Sequence, residues 1–304
     1  VSVVCAGHIN WDVTMHVDSL PEADGEVQIH QLVQSGGGSA ANVAVGLVGL
    51  GLEASLYGSV GGDDTGALAL RELDGVGVDC GHVFIDAEGT TSVKYLVVDA
   101  TGEVMVFANE GANEAFCEAN ISAELFRGVD HLHLTSQSPE MASLLATLAS
   151  DLGLSVSFDP GRRVADRGYS EALAATDLLF LNQREADLVA ESGTLSPTEP
   201  SEMTVVVKHG GDGATVYTPT ESHTHPGFVV DPVDLTGAGD AFAAGFLATL
   251  ADGEWVDDSG ATTEVAQYVD ALGVGNACGA LAAQDVTART ELSWAAVEEF
   301  VDDV

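Results

Sequence analysis

The chain alternates between short apolar runs and longer amphipathic or small-residue stretches. Val1–Ala6 is an apolar run that stops at Gly7, the pattern of a parallel strand buried on both faces. Val27–Val33 and Leu56–Val60 read as further strands. Between them Ala40–Leu50 is a predicted helix of small residues opened by Gly36-Gly37-Gly38. A second helix is predicted over Thr65–Leu73, preceded by Asp63. Ser92–Val98 and Val104–Ala108 are β runs joined through Asp99-Ala100-Thr101-Gly102, a hairpin with a Gly-containing turn.

From residue 129 the alternation becomes regular. Predicted strands at His131–Leu134, Ser155–Phe158, Leu178–Leu181, Thr204–Val207 and Thr215–Tyr217 interleave with helical stretches such as Pro139–Leu152 and Glu185–Glu191. Strand–helix alternation of this kind calls for a parallel sheet covered on both faces. Ser192–Glu202 is polar, holds two prolines and reads as a surface loop. Ala241–Leu250, Val265–Ala283 and Trp294–Val301 are predicted helices. The pattern as a whole predicts one α/β domain over residues 1–304. Its sheet is open and mostly parallel, with helices on both faces, and a small β insertion comes from the N-terminal third.

Charge narrows the function. Against 48 Asp+Glu there are 9 Lys+Arg, a net charge of −39, and Lys94 and Lys208 are the lysines. Repulsion of this size disfavours a compact chain unless salt screens it. The expectation is a protein adapted to a very salty cytosol. Nucleic acid and anionic membranes need a basic patch, so neither is an expected partner. Cys5, Cys80, Cys117 and Cys278 are scattered without a Cys-x-x-Cys pair, which fits a reducing compartment. No basic segment followed by an apolar one opens the chain, and no apolar run is long enough to cross a bilayer. A cytoplasmic location is expected.

The most informative segment is Asp234-Leu235-Thr236-Gly237-Ala238-Gly239-Asp240, between a β-like run and the helix at Ala241. Its glycines would leave unpaired backbone N–H groups at a helix N-terminus, which binds anions, phosphates above all. A carboxylate beside such a site can take the proton from a hydroxyl that attacks phosphorus. The ordinary alternative is a Gly-rich turn capped by an acid. Asn10 and Asp12, just past the first strand, point the same way in extended chain, where ligands of open α/β sheets bind. They suit a polyol, or an Asx-turn. Gly36-x-Gly38-x-x-Ala41 loosely matches a dinucleotide fingerprint but lacks the acid-ended strand that should follow. Close backbone approach to a small ligand, with Asn42 reaching it, is the alternative.

Asn182-x-x-Glu185 is either a helix cap or an acid near a magnesium–phosphate shell. Lys208-His209-Gly210-Gly211-Asp212-Gly213 is a hairpin turn, or a loop laid against a nucleotide. The His-x-His pairs 131/133 and 223/225 lack further ligand-type neighbours for zinc. No P-loop occurs.

Taken together, these motifs closely resemble the ribokinase-like family of carbohydrate kinases, the phosphofructokinase-B type. The resemblance runs through Gly7-x-Ile9-Asn10-x-Asp12, Gly36–Asn42, Val60-Gly61-x-Asp63-x-x-Gly66, Gly111-Ala112-Asn113, Asn182-x-x-Glu185 and Asp234–Asp240. It implies an ATP- and Mg²⁺-dependent kinase acting on a primary hydroxyl of a small, ribose- or fructose-like sugar. By it, Asp240 is the catalytic base and Gly237, Ala238 and Gly239 form the anion hole. Asn10, Asp12, Gly37, Gly38, Asn42 and Gln137 match acceptor-binding positions. Asn182, Lys208, Gly210, Gly213 and Asn276 match the nucleotide site. Glu185 matches a magnesium position acting through water, and Asp234 a monovalent-cation position, for K⁺.

Strands within 13–35 and 89–110 resemble the family's lid, which in several members also forms a dimer interface. Ser39 stands where ribokinases often have Lys, Gln137 where they often have Glu, and Leu235 where Thr is usual. Rival readings are a nucleoside kinase, an inactive sugar-binding protein of the same fold, and a dinucleotide oxidoreductase. The first 70 residues, which supply Asn10, Asp12 and Asn42, contain no Lys or Arg. An unphosphorylated sugar is therefore the expected acceptor.

Overall fold

The computed structural model describes residues 1–22, 24–101, 104–164, 166–198, 202–252, 264–285 and 289–303. The first third contains β1 (Ser2–Ala6), β2 (Asn10–Val17), β3 (Ile29–Gly37), α1 (Ser39–Gly49), β4 (Glu53–Tyr57) and β5 (Ser59–Gly61). It continues with α2 (Asp64–Val76), β6 (Phe84–Asp86), β7 (Ser92–Val98) and β8 (Val104–Asn109). Then follow β9 (His131–Leu134), α3 (Pro139–Asp151), β10 (Ser155–Phe158), α4 (Ser170–Ala174), β11 (Leu178–Asn182) and α5 (Gln183–Ser192). The chain closes with β12 (Thr204–Lys208), β13 (Ala214–Tyr217), β14 (Ser222–His225), α6 (Ala238–Asp252), α7 (Glu264–Ala283) and α8 (Trp294–Asp303).

Eight strands form one sheet in the order β14-β13-β12-β11-β10-β9-β1-β4. β4, β1 and β9 to β12 run parallel; β13 and β14 are added antiparallel at one edge. The two faces are apolar because successive side chains point to opposite sides. In β1, Val3 and Cys5 join the core under α1, α6 and α7, while Val4 and Ala6 join the core under α3. Leu178 and Phe180 divide from Leu179 and Leu181 in the same way. The predicted open α/β sheet with helices on both faces is what the chain forms.

A separate four-stranded sheet, ordered β3-β2-β7-β8, stands beside the main one. The register aligns Asp12 with Lys94 and Tyr95 with Phe107. One face therefore carries Asn10, Asp12 and Lys94. The other carries Leu32, Tyr95, Met105 and Phe107, all exposed.

Three local expectations change. Leu56–Val60 is two strands, β4 and β5. A side chain on the intervening Gly58 would overlap the Gly7 carbonyl, and from there the chain leaves the main sheet to pair β5 with β6. The second His-x-His pair lies in β14, an edge strand short of apolar residues, which hid it from periodicity. The proposed surface loop begins only after α5 ends at Ser192, and its residues 199–201 lie outside the described residues. Gly102 of the hairpin turn lies outside them too.

Candidate active site

Five strands of the main sheet end beneath one cavity of about 480 Å³. His8 follows β1, Ser136 follows β9, Asp159 follows β10, and Asn182 and Lys208 end β11 and β12. The carboxyl edge of a parallel sheet, where neighbouring loops diverge, is where such folds bind ligands. Asn10, Asn113 and Lys94 close the cavity from the other side, and Asp240 and Gly237 stand at its wall. A second cavity shares Lys94, Gly237 and Asp240 and adds Asp12, Gly38, Asn42 and Asp234.

Asp240 sits in the first turn of α6, whose N–H groups lack intrahelical partners. Asn42 Nδ2 donates to its Oδ2 at 2.7 Å. Burial raises the Asp240 carboxyl to about 6, although the Asn42 hydrogen bond pulls the other way. Such a carboxyl is ionised near neutrality yet basic enough to accept a proton. Asp12 is also raised by burial, with Lys94 and Arg289 opposing the rise. Its Oδ1 is buried without a hydrogen-bond partner among the described residues, as is Asn113 Oδ1. Asn113 Nδ2 donates to Asn10 Oδ1 at 2.8 Å. Two unpaired buried acceptors beside a cavity suit the hydroxyl groups of a polyol.

The three glycines before α1 have separate steric roles. A Cβ on Gly36 would overlap the Arg289 guanidinium, one on Gly37 the Asp12 carboxylate, and one on Gly38 the His8 carbonyl. Gly38 also has φ +97°, in the region that favours glycine. The dinucleotide reading of this run falls away, because the run follows an antiparallel strand and its space is filled by the protein itself. Arg289 donates to Glu72 Oε1 at 2.7 Å, to the Gly37 carbonyl at 3.0 Å and to Asn42 Oδ1 at 3.4 Å. It holds the Asn42 amide with its NH₂ towards Asp240.

Asn182 and Glu185 form the capping box of α5: Glu185 N–H donates to Asn182 Oδ1 and Asn182 N–H to Glu185 Oε2, both at 2.9 Å. Both residues line the first cavity as well. Burial and the nearby Asp159 raise Glu185. Lys208 Nζ is 2.7 Å from Asp159 Oδ2. Burial works against the Lys208 charge, but Asp159, Glu185 and Asp240 together raise the group.

On the far side of the α6 N-terminus lies a third cavity, about 460 Å³, lined by Ala238, Gly239, Lys208, Phe228 and Asn276, with Gly210 and Gly213. Gly210 and Gly211 face open space, and Gly213 packs its backbone against Gly227. Apolar walls with a few amide groups fit a flat heteroaromatic ring. The α6 N-terminus thus divides two cavities, with Asp240 on one side and Gly239 on the other.

Most of the expected site residues are gathered here, and two are not in the cavity linings. Gln137 is fully buried; its Nε2 donates to the Ala6 carbonyl and its own carbonyl accepts from Tyr169. Its Oε1 is buried without a hydrogen-bond partner among the described residues, and Gln137 lines none of these cavities. Gly37 acts through the room it leaves for Asp12. Asp234 lines the second cavity, and its Oδ1 accepts the Thr236 N–H at 2.8 Å in an Asx-turn.

No cluster of three His, Cys, Asp or Glu able to hold a metal occurs among the described residues. His131 and His133 instead bond Ser155 and Ser157, and burial lowers them to about 3 and about 4. Sequence reasoning missed Asp159, Ser136, Arg162 and Lys94. The first two could have been found by applying the strand-end rule to β9 and β10. Lys94 depends on register in the small sheet, which its sequence does not declare.

The pfkB family carbohydrate kinase domain matches residues 1–295, and the chain belongs to that family. It is a sugar kinase, a phosphotransferase with an alcohol group as acceptor. An ATP-dependent ribose-1-phosphate kinase of Halopiger xanaduensis is 51% identical over 304 residues, covering 100% of this chain and 99% of that protein. The nucleoside kinase of Methanocaldococcus jannaschii shares the fold, with TM-score 0.81 and 24% identity over 100% of this chain and 98% of that one. Ribokinase from Giardia lamblia does so with TM-score 0.83 and 20% identity over 99% and 98%. The inactive-protein and oxidoreductase readings give way to the kinase. No helix among the described residues is long and apolar enough to cross a membrane.

Proposed function

We propose that this kinase transfers the γ-phosphoryl group of ATP to the primary hydroxyl of a phosphorylated pentose, ribose 1-phosphate, giving the 1,5-bisphosphate and ADP. One observation carries the reading of the chemistry: Asp240, held by Asn42, and the N–H groups of Gly237–Gly239 lie between a cavity lined by polar side chains and an apolar one. Asp240 takes the proton of the acceptor hydroxyl as its oxygen bonds to the γ-phosphorus. The bond from that phosphorus to the bridging oxygen breaks, and ADP leaves. The α6 N-terminus and Lys208 face the charge that develops on the transferred group. Asn10, Asp12, Asn42 and Asn113 hold the sugar. Gly210, Gly213 and Asn276 hold the nucleotide.

Glu185 and Asp159 offer hard carboxylate oxygens in the first cavity, and a few such ligands beside phosphates and water are what Mg²⁺ takes. Bound there, the ion would neutralise phosphate charge. Asp234 is carried for a monovalent cation by the family resemblance alone.

The expectation of an unphosphorylated acceptor is revised. The name of the relative at 51% identity supports the revision, and so does charge. Lys94, Arg162, Arg163 and Lys208, four of the chain's nine Lys and Arg, line the first cavity. The β3-β2-β7-β8 sheet acts as a lid over the acceptor. Its exposed face of Leu32, Tyr95 and Phe107 is the surface for a homodimer, which sedimentation of a Phe107→Asp variant would test. A cytoplasmic, salt-adapted enzyme remains our reading of the composition.

The deciding assay measures ADP release with ATP, Mg²⁺ and each of ribose 1-phosphate, ribose, fructose and a nucleoside set, in molar KCl. The highest kcat/KM is expected with ribose 1-phosphate, and phosphorus NMR should find the new ester at the primary position. A preference for a nucleoside or a free sugar would overturn the acceptor.

A further inference from the structure

We infer that Lys94 and Arg162 form a two-sided clamp for the phosphate already on the acceptor, Lys94 from the lid sheet and Arg162 from the body of the enzyme. The inference rests on the phosphorylated acceptor proposed above and deepens it.

The four cations of the first cavity are not equivalent. Lys208 is paired with Asp159 at 2.7 Å, and Arg163 with Glu110 at 2.6 Å. Lys94 and Arg162 have no ion-pair or side-chain hydrogen-bond partner among the described residues. Lys94 acts through space on Asp12 and Asp240 without a salt bridge to either, and Arg162 is exposed at the cleft. The donors of both side chains are therefore open to a ligand in the cleft. Both residues also line the second cavity, so they stand where the two acceptor-side cavities join.

The surrounding acids restrict where a phosphate can rest. Asp12, Asp234 and Asp240 line the second cavity, and Asp159 and Glu185 the first. A dianion is repelled from all of them. It is tolerated where Lys94 and Arg162 together offset that field, with the primary hydroxyl left to reach Asp240. Arg162 supplies a planar fork that matches phosphate oxygens, and Lys94 a compact point charge.

The two cations come from different parts of the fold. Lys94 lies on β7, in register with Asp12 on β2, on the sugar-facing side of the small sheet. Arg162 lies in the turn after β10 of the main sheet. A phosphate bridging them ties the lid to the body. An acceptor without the phosphate would lose both the contacts and this closure, so the clamp discriminates in kcat as well as KM.

The test compares kcat/KM for ribose 1-phosphate and for ribose in wild type, Lys94→Gln, Arg162→Gln and Arg71→Gln, at fixed molar KCl and saturating ATP. Arg71 is an exposed cation on α2, away from these cavities, and controls for loss of one charge anywhere. The ratio of the two constants should fall roughly ten- to hundredfold in Lys94→Gln and in Arg162→Gln, as for loss of one charge-assisted contact. It should stay within about twofold of wild type in Arg71→Gln, as weak screened coupling requires. Melting temperatures confirm that each variant folds, and calorimetric titration with ribose 1-phosphate reads binding without turnover. A wild type indifferent to the phosphate overturns the proposed acceptor and the clamp with it. A wild type that prefers the phosphate, with both variants keeping that preference, overturns the clamp alone. An equal fall in Arg71→Gln also overturns it, since the effect would then be one of net charge.

Discussion

Asn42, in the first turn of α1, and Asp240, in the first turn of α6, are 198 residues apart in sequence and joined by a 2.7 Å hydrogen bond. The bond orients the carboxylate and leaves its other oxygen unoccupied by Asn42. Arg289, a further 49 positions along the chain, fixes the opposite end of the Asn42 amide. Three distant segments therefore set the orientation of the proposed base.

Asp240→Asn should abolish most turnover and leave nucleotide binding. Asn is nearly isosteric and can still accept the Asn42 hydrogen bond, so the α6 start survives. It cannot take a proton, and the lost general base is worth about 10²–10⁴-fold in kcat. The same change removes a buried charge and should raise the melting temperature at pH 7.5, by a stabilisation on the order of 3 kcal/mol or less. Paired measurements of kcat, ATP affinity and melting temperature decide it. A folded variant retaining more than about a tenth of wild-type kcat would remove Asp240 from the role.

The pH dependence has a definite sign. The folded carboxyl of Asp240 holds its proton up to about pH 6, above its ordinary value of 3.8. Activity needs the ionised form, so kcat/KM should be level above about 6 and fall tenfold per pH unit below it. Stability runs the other way: the contribution of this group is full below 3.8 and is lost as pH rises through about 6. A profile from pH 4.5 to 8, with Asp240→Asn as the reference for unfolding, tests both. An activity inflection near 4 would contradict the raised value.

Gly36→Ala should displace Arg289, because the added methyl would occupy the guanidinium position. The Asn42 amide then loses its anchor and Asp240 its orientation. The expected result is a fall in kcat with the ATP KM little changed, and a destabilisation of about 1–3 kcal/mol from overpacking. Arg289→Lys keeps the charge but not the fork, and should lower kcat similarly. Normal kcat in both folded variants would show that Asn42 holds Asp240 without help.

Melting temperature and activity should rise from dilute buffer to about 1 M KCl, as the Debye length shrinks from about 10 Å at 0.1 M to about 3 Å. The cause is the −39 net charge, and anionic substrates approaching an anionic protein add to it. A flat thermal-denaturation series across KCl would argue that the fold already accommodates its charge.

The sequence by itself determined the parallel core, because strands buried on both faces must be apolar at every position. It also determined the Asp234–Asp240 segment, where glycines, helix start and acid are contiguous and local backbone chemistry suffices. The glycines before α1 were legible as an anomaly, but their reason was not: Arg289 and Asp12 fill that space from elsewhere in the chain. Gln137 looked like a site residue by position; in the fold its Nε2 donates to the Ala6 carbonyl, a contact that depends on packing between strands. The charge around the acceptor site was illegible for the same reason. The first 70 residues hold no cation, yet the fold carries Lys94 in on a neighbouring strand and Arg162 in from the β10 turn. Periodicity reads what each residue does to its own segment. Which charges face each other across a cleft is set by strand register and crossover, and that was decided only in three dimensions.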